Sequence, residues 1–350
     1  MGAAEKTIGI GVVGINMGAD TLYANNDPSS RLIVRGLCSA TEKKVKALAQ
    51  RWGINLATTD YRDLLKRDDI QVMAIYTPDD QHYEQVMASL SAGKHVVVTK
   101  PMVITVEHAK EIAKLARETG LKVLVGQTMR FQPEFMNVKK LVDDGDLGEI
   151  LFVQTSYLHD MRPVFAKTPW RITEKDFLVG SMCHPIDALR WFLGDVEEVS
   201  AYARKSPLLP GHPRESLFSL NLKFKNGAIG HALGLYGIVH PPKPMNEITV
   251  YGTKGSVSSD HGDFMEGHMS AVFDKLEGKP KLSVTYPPSS QGSYGHLISV
   301  MNYMKHFEAC LAEDSEPSPN AEDAFKSLSI SVAGWESIRG GKPVRVDSNL

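Results

Sequence analysis

The sequence predicts an α/β chain in two parts: a doubly wound parallel sheet over residues 1–128, then over residues 129–350 a second α/β domain with a large, mostly antiparallel open sheet. Three observations predict it. Short β-branched runs alternate with helix-period stretches as far as about residue 128, a glycine turn closes the first run, and beyond residue 129 the strands lengthen and are joined by turns. At 350 residues the chain also exceeds the size at which a single core usually stops growing.

In the first part the strands are "TIGIGVVG", "RLIVRGLCS", "QVMAIYTP", "HVVVTKP" and "LKVLVGQT". Between them, Val45, Leu48, Ala49 and Trp52 recur at helical spacing after a Thr41 cap and before Gly53. "TVEHAKEIAKLARETG" repeats the pattern, with Thr105 as cap and Gly120 as stop. In the second part "EILFVQTSYLH", "VEEVSAYARK", "SLFSLNLKFKNGAIGHALGLY" and "NEITVYGTKGSVSS" read as strands, and Asn226-Gly227 is a hairpin signal. "CHPIDALRWFLG" reads as a helix with Pro185 in its first turn, and two more helices flank the break "SEPSPN".

Hydrophobic residues at 42%, charged residues at 23% and a net charge of -2 describe an ordinary globular protein, with no electrostatic reason to bind nucleic acid or an anionic membrane. Three cysteines, odd in number and far apart, argue against a disulfide framework and for a reducing, cytoplasmic compartment. No leader and no membrane-length apolar run is read. The histidines show no metal-ligand spacing, so no metal is expected.

In a doubly wound sheet, ligands bind outside the carboxyl ends of the strands, where Gly14, Ser39, Thr77, Pro78 and Lys100 fall. "GVVGINMGA" approaches the dinucleotide fingerprint of Rossmann domains: Gly14 makes the tight turn, Asn16 stands where the second glycine would be, Met17 follows, and Ala19 fits the third position. After the second strand, where NAD-preferring folds carry an acidic residue, this chain has Ser39 with Lys43 and Lys44 behind it. That leans toward NADP over NAD, because a small hydroxyl and nearby positive charge suit a 2′-phosphate.

Several stretches coincide in order with one family. "YTPDDQHYEQVMASLSAGKHVVVTKPMVIT" resembles the glucose-fructose oxidoreductase / inositol dehydrogenase (Gfo/Idh/MocA) family, whose members carry Thr-Pro with a histidine four residues on, then Ala-Gly-Lys-His, then Glu-Lys-Pro. Here these are Thr77, Pro78 and His82, then Ala92 to His95, then Thr99, Lys100 and Pro101. "MRFQP", "GDLGEILFVQ", "WRI", "HPIDALRWFLGDVEEVSA", "GTKGSV" and "AFKSLSISVAGWESIRGGKPVRV" extend the likeness over nearly the whole chain. It implies a Rossmann domain, NAD(P)-dependent oxidation or reduction of a sugar, inositol or related hydroxyl compound, and subunits that pair as a homodimer or homotetramer through the open sheet. Two departures stand out. Thr99 replaces the family's glutamate, and Gly180 occupies the position, four residues before His184, where many members have a catalytic aspartate.

The candidate catalytic residues are therefore Lys100, at a strand end, and His184, at a helix start, where the dipole favours a neutral ring that can accept a proton. Asp187 has two readings, orienting that ring or favouring the helix N-terminus. Arg130, Tyr157, Trp170 and Arg171 are candidates on the substrate side, since sugars favour an aromatic face and fork-like donors. Two other readings stay open: glycoside cleavage through transient oxidation of a ring hydroxyl, and a non-catalytic nucleotide sensor or regulator.

Overall fold

The structure is a computed structural model that describes residues 7–169, 172, 176–241, 245–259, 267–273, 282–286 and 293–350. The β-branched runs of the first part form six parallel strands: β1 (Ile8–Val13), β2 (Leu32–Cys38), β3 (Leu56–Thr58), β4 (Val72–Ile75), β5 (His95–Thr99) and β6 (Val123–Gly126). Their order is β3-β2-β1-β4-β5-β6, so the winding reverses between β1 and β4, the switch point where such sheets hold ligands. Val96, Val97 and Val98 of β5 are all fully buried, as a strand covered on both faces must be. Each contributes about 1.5–3 kcal/mol of burial free energy.

Helices α1 (Glu42–Trp52), α2 (Arg62–Leu65), α3 (His82–Ser91) and α4 (Val106–Thr119) connect the strands. The expected stops hold, with Gly53 and Gly120 left-handed at φ 66° and 68°. Thr105 caps α4 by accepting from the His108 N–H, whereas the Thr41 side chain makes no capping bond to α1. After the glycine turn the chain forms a 3-10 helix over Gly18–Asn26 in place of an α-helix. Thr21, Asn25 and Asn26 are poor α-helix formers, and Pro28 closes the segment before a longer helix can propagate.

Residues up to 126 together with 296–325 make one compact unit, and residues 127–295 with 326–349 the other. The returning segment includes most of helix α9 (Ser293–Glu313; α5 to α8 are given below). Within the first unit it is held by the Pro319 carbonyl, which accepts from Val125, and by Glu308, which accepts from Ser30 and the Arg31 N–H.

The second unit contains α5 (Pro133–Asp143), α6 (Arg162–Lys167), α7 (Phe177–Gly180) and α8 (Cys183–Leu193) around a nine-stranded sheet. Its strands are β7 (Ile150–His159), β8 (Val196–Arg204), β9 (Leu217–Phe224), β10 (Ile229–Tyr236), β11 (Asn246–Gly252), β12 (Gly255–Ser258), β13 (Gly267–Phe273), β14 (Leu282–Tyr286) and β15 (Val344–Arg345). Only β7 and β10 pair in parallel among the described pairings, so the sheet is mostly antiparallel. Asn226-Gly227 makes the β9–β10 hairpin, with Gly227 at φ 88°. Helix α8 and the later part of α10 (Ala321–Gly340) pack on one face of this sheet. Tyr251, Phe152 and Ile229 stand in register on the other, and Tyr251 and Ile229 are about half exposed.

Candidate active site

In the first unit the strand ends bring together the residues picked out for a dinucleotide. Gly14 follows β1 directly, and its N–H donates to the Cys38 carbonyl at the end of β2. It adopts φ +88°, and a Cβ there would fall 2.5 Å from the Tyr76 carbonyl oxygen, so the turn excludes every other residue on both conformational and steric grounds. Gly18 is equally confined, since a Cβ would lie 2.7 Å from the Tyr76 ring. Asn16 and Met17 are exposed at the crest of the loop. This tight turn at the carboxyl edge of a doubly wound sheet fits a dinucleotide, with Gly14, Asn16 and Met17 as the residues that would meet its phosphates.

Ser39 follows β2 and donates its N–H to the Thr58 carbonyl, while Lys43 and Lys44 are exposed in the first turn of α1. The neighbouring Cys38 thiol is pushed up to about 11, first by burial and then by Asp60 and Asp63, so it is an inert packing group.

Lys100 closes β5 half-buried, followed by a cis bond to Pro101. His82, at the start of α3, is fully buried beneath this edge: Nδ1 lies 2.8 Å from the Pro101 carbonyl and Nε2 2.9 Å from the Thr77 carbonyl. Its ring is thus taken up in joining the turn after β4 to the turn after β5. The Thr77 hydroxyl donates to Gln85 of α3, fixing the same turn from the other side.

In the second unit α8 seats its first turn on the sheet, where the Thr155 hydroxyl of β7 donates to the Pro185 carbonyl. That places His184, buried, against Tyr157 two residues along β7, with ring centroids 5.8 Å apart and planes at 68°. Tyr157 is half-buried and also meets His159 and Tyr236 edge to face, at 6.2 and 5.2 Å. Burial keeps the Tyr236 phenol well above its ordinary range, so it stays neutral.

Arg130 and Asp187 meet each other. Nε and Nη2 of Arg130 donate to the two carboxylate oxygens at 2.6 and 2.7 Å, and both residues are buried; Ser327 also donates to Asp187. Of the two readings of Asp187, the carboxylate is engaged with Arg130 and Ser327 and does not orient His184. Arg130 and Asp187 thereby form a buried ion pair that ties the turn before α5 to α8. Asp176 does not stand in for the absent aspartate either. It caps α7, accepting from the N–H groups of Leu178 and Val179, and it also receives Trp335 Nε1 and Arg214. Trp170 and Arg171 lie outside the described residues. Among the described residues no group of three or more His, Cys, Asp or Glu side chains could hold a metal.

Sequence reasoning missed the hydroxyl chain beneath the glycine turn. Tyr76 Oη lies 2.7 Å from Thr21 Oγ1 and 2.6 Å from Tyr303 Oη, all buried, and burial raises both phenols so that they stay neutral. Tyr303 is 227 residues away in sequence and carries no local signal. Tyr236 was missed for the same reason, although it stands at the end of a strand with alternating burial.

A doubly wound sheet with a glycine turn, a lysine following its fifth strand and a histidine at a helix start on an open-sheet domain define the class: a two-domain oxidoreductase scaffold. The chain belongs to the Gfo/Idh/MocA oxidoreductase family, since the family's NAD-binding Rossmann fold matches residues 8–127 and its C-terminal alpha/beta domain matches residues 139–346. It is 24% identical over 334 residues to D-apiose dehydrogenase of Paraburkholderia graminis, covering 93% of this chain and 86% of that protein. It is 23% identical to scyllo-inositol 2-dehydrogenase (NAD(+)) of Bacillus subtilis, covering 91% and 90%. Its fold is similar to levoglucosan dehydrogenase in complex with NADH and levoglucosan, with TM-score 0.86 at 21% identity over 98% of this chain and 100% of that one. An oxidoreductase from Agrobacterium radiobacter in complex with NAD+, L-tartaric acid and magnesium also gives TM-score 0.86, at 20% identity over 97% and 98%.

Proposed function

We propose that this chain interconverts a secondary hydroxyl of a sugar, glycoside or inositol with its ketone, and that Lys100 and His184 share the transfer of the hydroxyl proton. The observation that carries the reading is Lys100 at the carboxyl end of a strand whose three valines are fully buried, in a sheet whose Gly14 turn fits a dinucleotide. The chemistry a nicotinamide supplies when bound is acceptance and return of hydride. The relatives named for apiose, inositol and levoglucosan support a polyhydroxylated substrate. Tyr157, half-buried beside His184, is the described substrate-side candidate, and Trp170 and Arg171 complete the proposed set.

The dinucleotide is read as NADP in preference to NAD. Lys46 is held by Glu42 at 2.6 Å, while Lys43 and Lys44 make no ion pair among the described residues and follow Ser39 closely. Lys43→Glu is expected to weaken NADPH binding about tenfold and leave NADH binding within about twofold, read by nicotinamide fluorescence. The rest of the proposal is a homodimer or homotetramer in the cytoplasm, with neither nucleic acid nor membrane as partner. It is supported by the exposed apolar row on the open sheet, the near-zero net charge and the absence of a disulfide among the three cysteines. Among the described residues no helix is long and apolar enough to cross a membrane.

The test is nicotinamide absorbance with a panel of sugars and inositols. Lys100→Ala is expected to lower kcat about 10²- to 10⁴-fold, and equal turnover by wild type and variant would remove Lys100 from the mechanism. Gly180, together with the engagement of Asp176 as a cap, favours one second reading, a nucleotide-binding sensor. Dinucleotide binding in calorimetry with no hydroxyl compound turned over would select it.

A further inference from the structure

We infer that Tyr236 and Tyr157 are positioning residues for His184, an aromatic buttress that sets the imidazole plane from the sheet side. The inference rests on the reading of His184 as a proton-transfer group and deepens it. The buttress is continuous. Phe177 of α7 stacks on Tyr236 with centroids 4.7 Å apart and planes at 5°, Tyr236 stands at 89° to Tyr157 at 5.2 Å, and Tyr157 stands at 68° to His184 at 5.8 Å. Edge-to-face contacts at these separations are directional, because the positive ring edge seeks the negative face. They therefore restrict ring rotation as well as position.

The sequence makes room for the arrangement. Gly234 is the register partner of Tyr157, and a Cβ there would fall 2.1 Å from Met182 Sδ and 3.0 Å from the Tyr236 ring. A side chain at position 234 would displace Met182 and crowd the Tyr236 ring. Tyr236 is fully buried, and its hydroxyl has no hydrogen-bond partner among the described residues. A buried, unpartnered hydroxyl is a cost that phenylalanine would avoid. The ring is thus the contributing part, and Tyr236 acts through Tyr157 without touching a substrate itself. The two carboxylates nearest in sequence, Asp176 and Asp187, are engaged with α7, Arg214 and Trp335 in one case and with Arg130 and Ser327 in the other, so the edge-to-face contact with Tyr157 is set by neither of them.

The test uses the full-length chain with ¹⁵N- and ¹³C-labelled histidine. In wild type, His184 ring protons are expected to show nuclear Overhauser contacts to the Tyr157 ring, and their absence would overturn the inference whether or not any variant folds. Tyr236→Phe is expected to leave the His184 signals, kcat and KM unchanged, with a melting temperature equal to or above that of wild type. Tyr236→Leu is expected to shift or broaden the His184 signals and to lower kcat about 10- to 100-fold, at a KM within about threefold. A folded Tyr236→Leu variant with wild-type His184 signals would overturn the inference, as would Tyr236→Phe losing as much as Tyr236→Leu. The resonance readout needs no turnover. A chain that oxidises no sugar would therefore remove the proposed function while leaving the ring geometry measurable.

Discussion

Gly14 and Asp160 show how single residues set properties the whole chain depends on. At Gly14 a left-handed backbone and a carbonyl 2.5 Å from any Cβ act together, so Gly14→Ala is expected to cost about 2–4 kcal/mol of stability and to abolish dinucleotide binding. Thermal unfolding with and without NADH checks both. Asp160, at the end of β7, is held down to about 2, chiefly by the Arg162 side chain that bonds it and next by the Arg162 backbone N–H, against a burial effect that opposes them. A carboxyl whose folded value is depressed stabilises the fold above its unfolded value, and that stability is lost as pH falls toward the folded value. The contribution is therefore complete above about pH 4 and fades toward pH 2. Asp160→Asn should flatten the curve of urea midpoint against pH in that window and leave its shape at neutral pH unchanged.

At the scale of elements, α8 is the piece that puts a catalytic candidate in place, and three interactions locate it. Thr155 meets the Pro185 carbonyl, Tyr157 meets His184, and Asp187 binds the Arg130 fork carried by the turn before α5. A buried pair stabilises little in net terms, but removing one partner strands the other's charge, at about 3–5 kcal/mol. Asp187→Leu alone should lower the unfolding free energy by that amount in urea titration, while Arg130→Met with Asp187→Leu should recover most of it. Recovery of stability without recovery of kcat would mean that the pair also holds the angle of α8. Sequence spacing placed Asp187 on the His184 side of this helix, yet the nearer partner in space came from a segment 57 residues earlier.

At the scale of the whole molecule, the nine-stranded sheet carries α8 and the later part of α10 on one face and leaves Tyr251, Phe152 and Ile229 in one row on the other. Exposed apolar rows on a broad sheet are interaction surfaces more often than they are solvated. Sedimentation velocity is expected to find a dimer or tetramer. Ile229→Glu with Tyr251→Glu should shift the chain toward monomer while circular dichroism stays unchanged, and a monomeric wild type would remove the proposed assembly. The return of residues 296–325 to the first unit belongs to this scale as well. A helix reads the same from its local period wherever it docks, so nothing local said that Tyr303 would reach Tyr76.

The sequence by itself determined the periodic and conformational features: the alternation that made two sheets, the Gly53 and Gly120 stops, the Gly227 hairpin, the Gly14 turn and the lysine closing β5. Each follows from the backbone preference of one residue or from burial on one or two faces, which are local properties. Only the tertiary structure decided what the polar side chains do. It turned His82 into a brace between two turns, joined Arg130 to Asp187, spent Asp176 on a helix cap, and set Tyr236 behind Tyr157. The physical reason is that a buried polar or aromatic group takes whichever complementary partner the fold brings within reach, and those partners lie from a few residues to more than a hundred residues away.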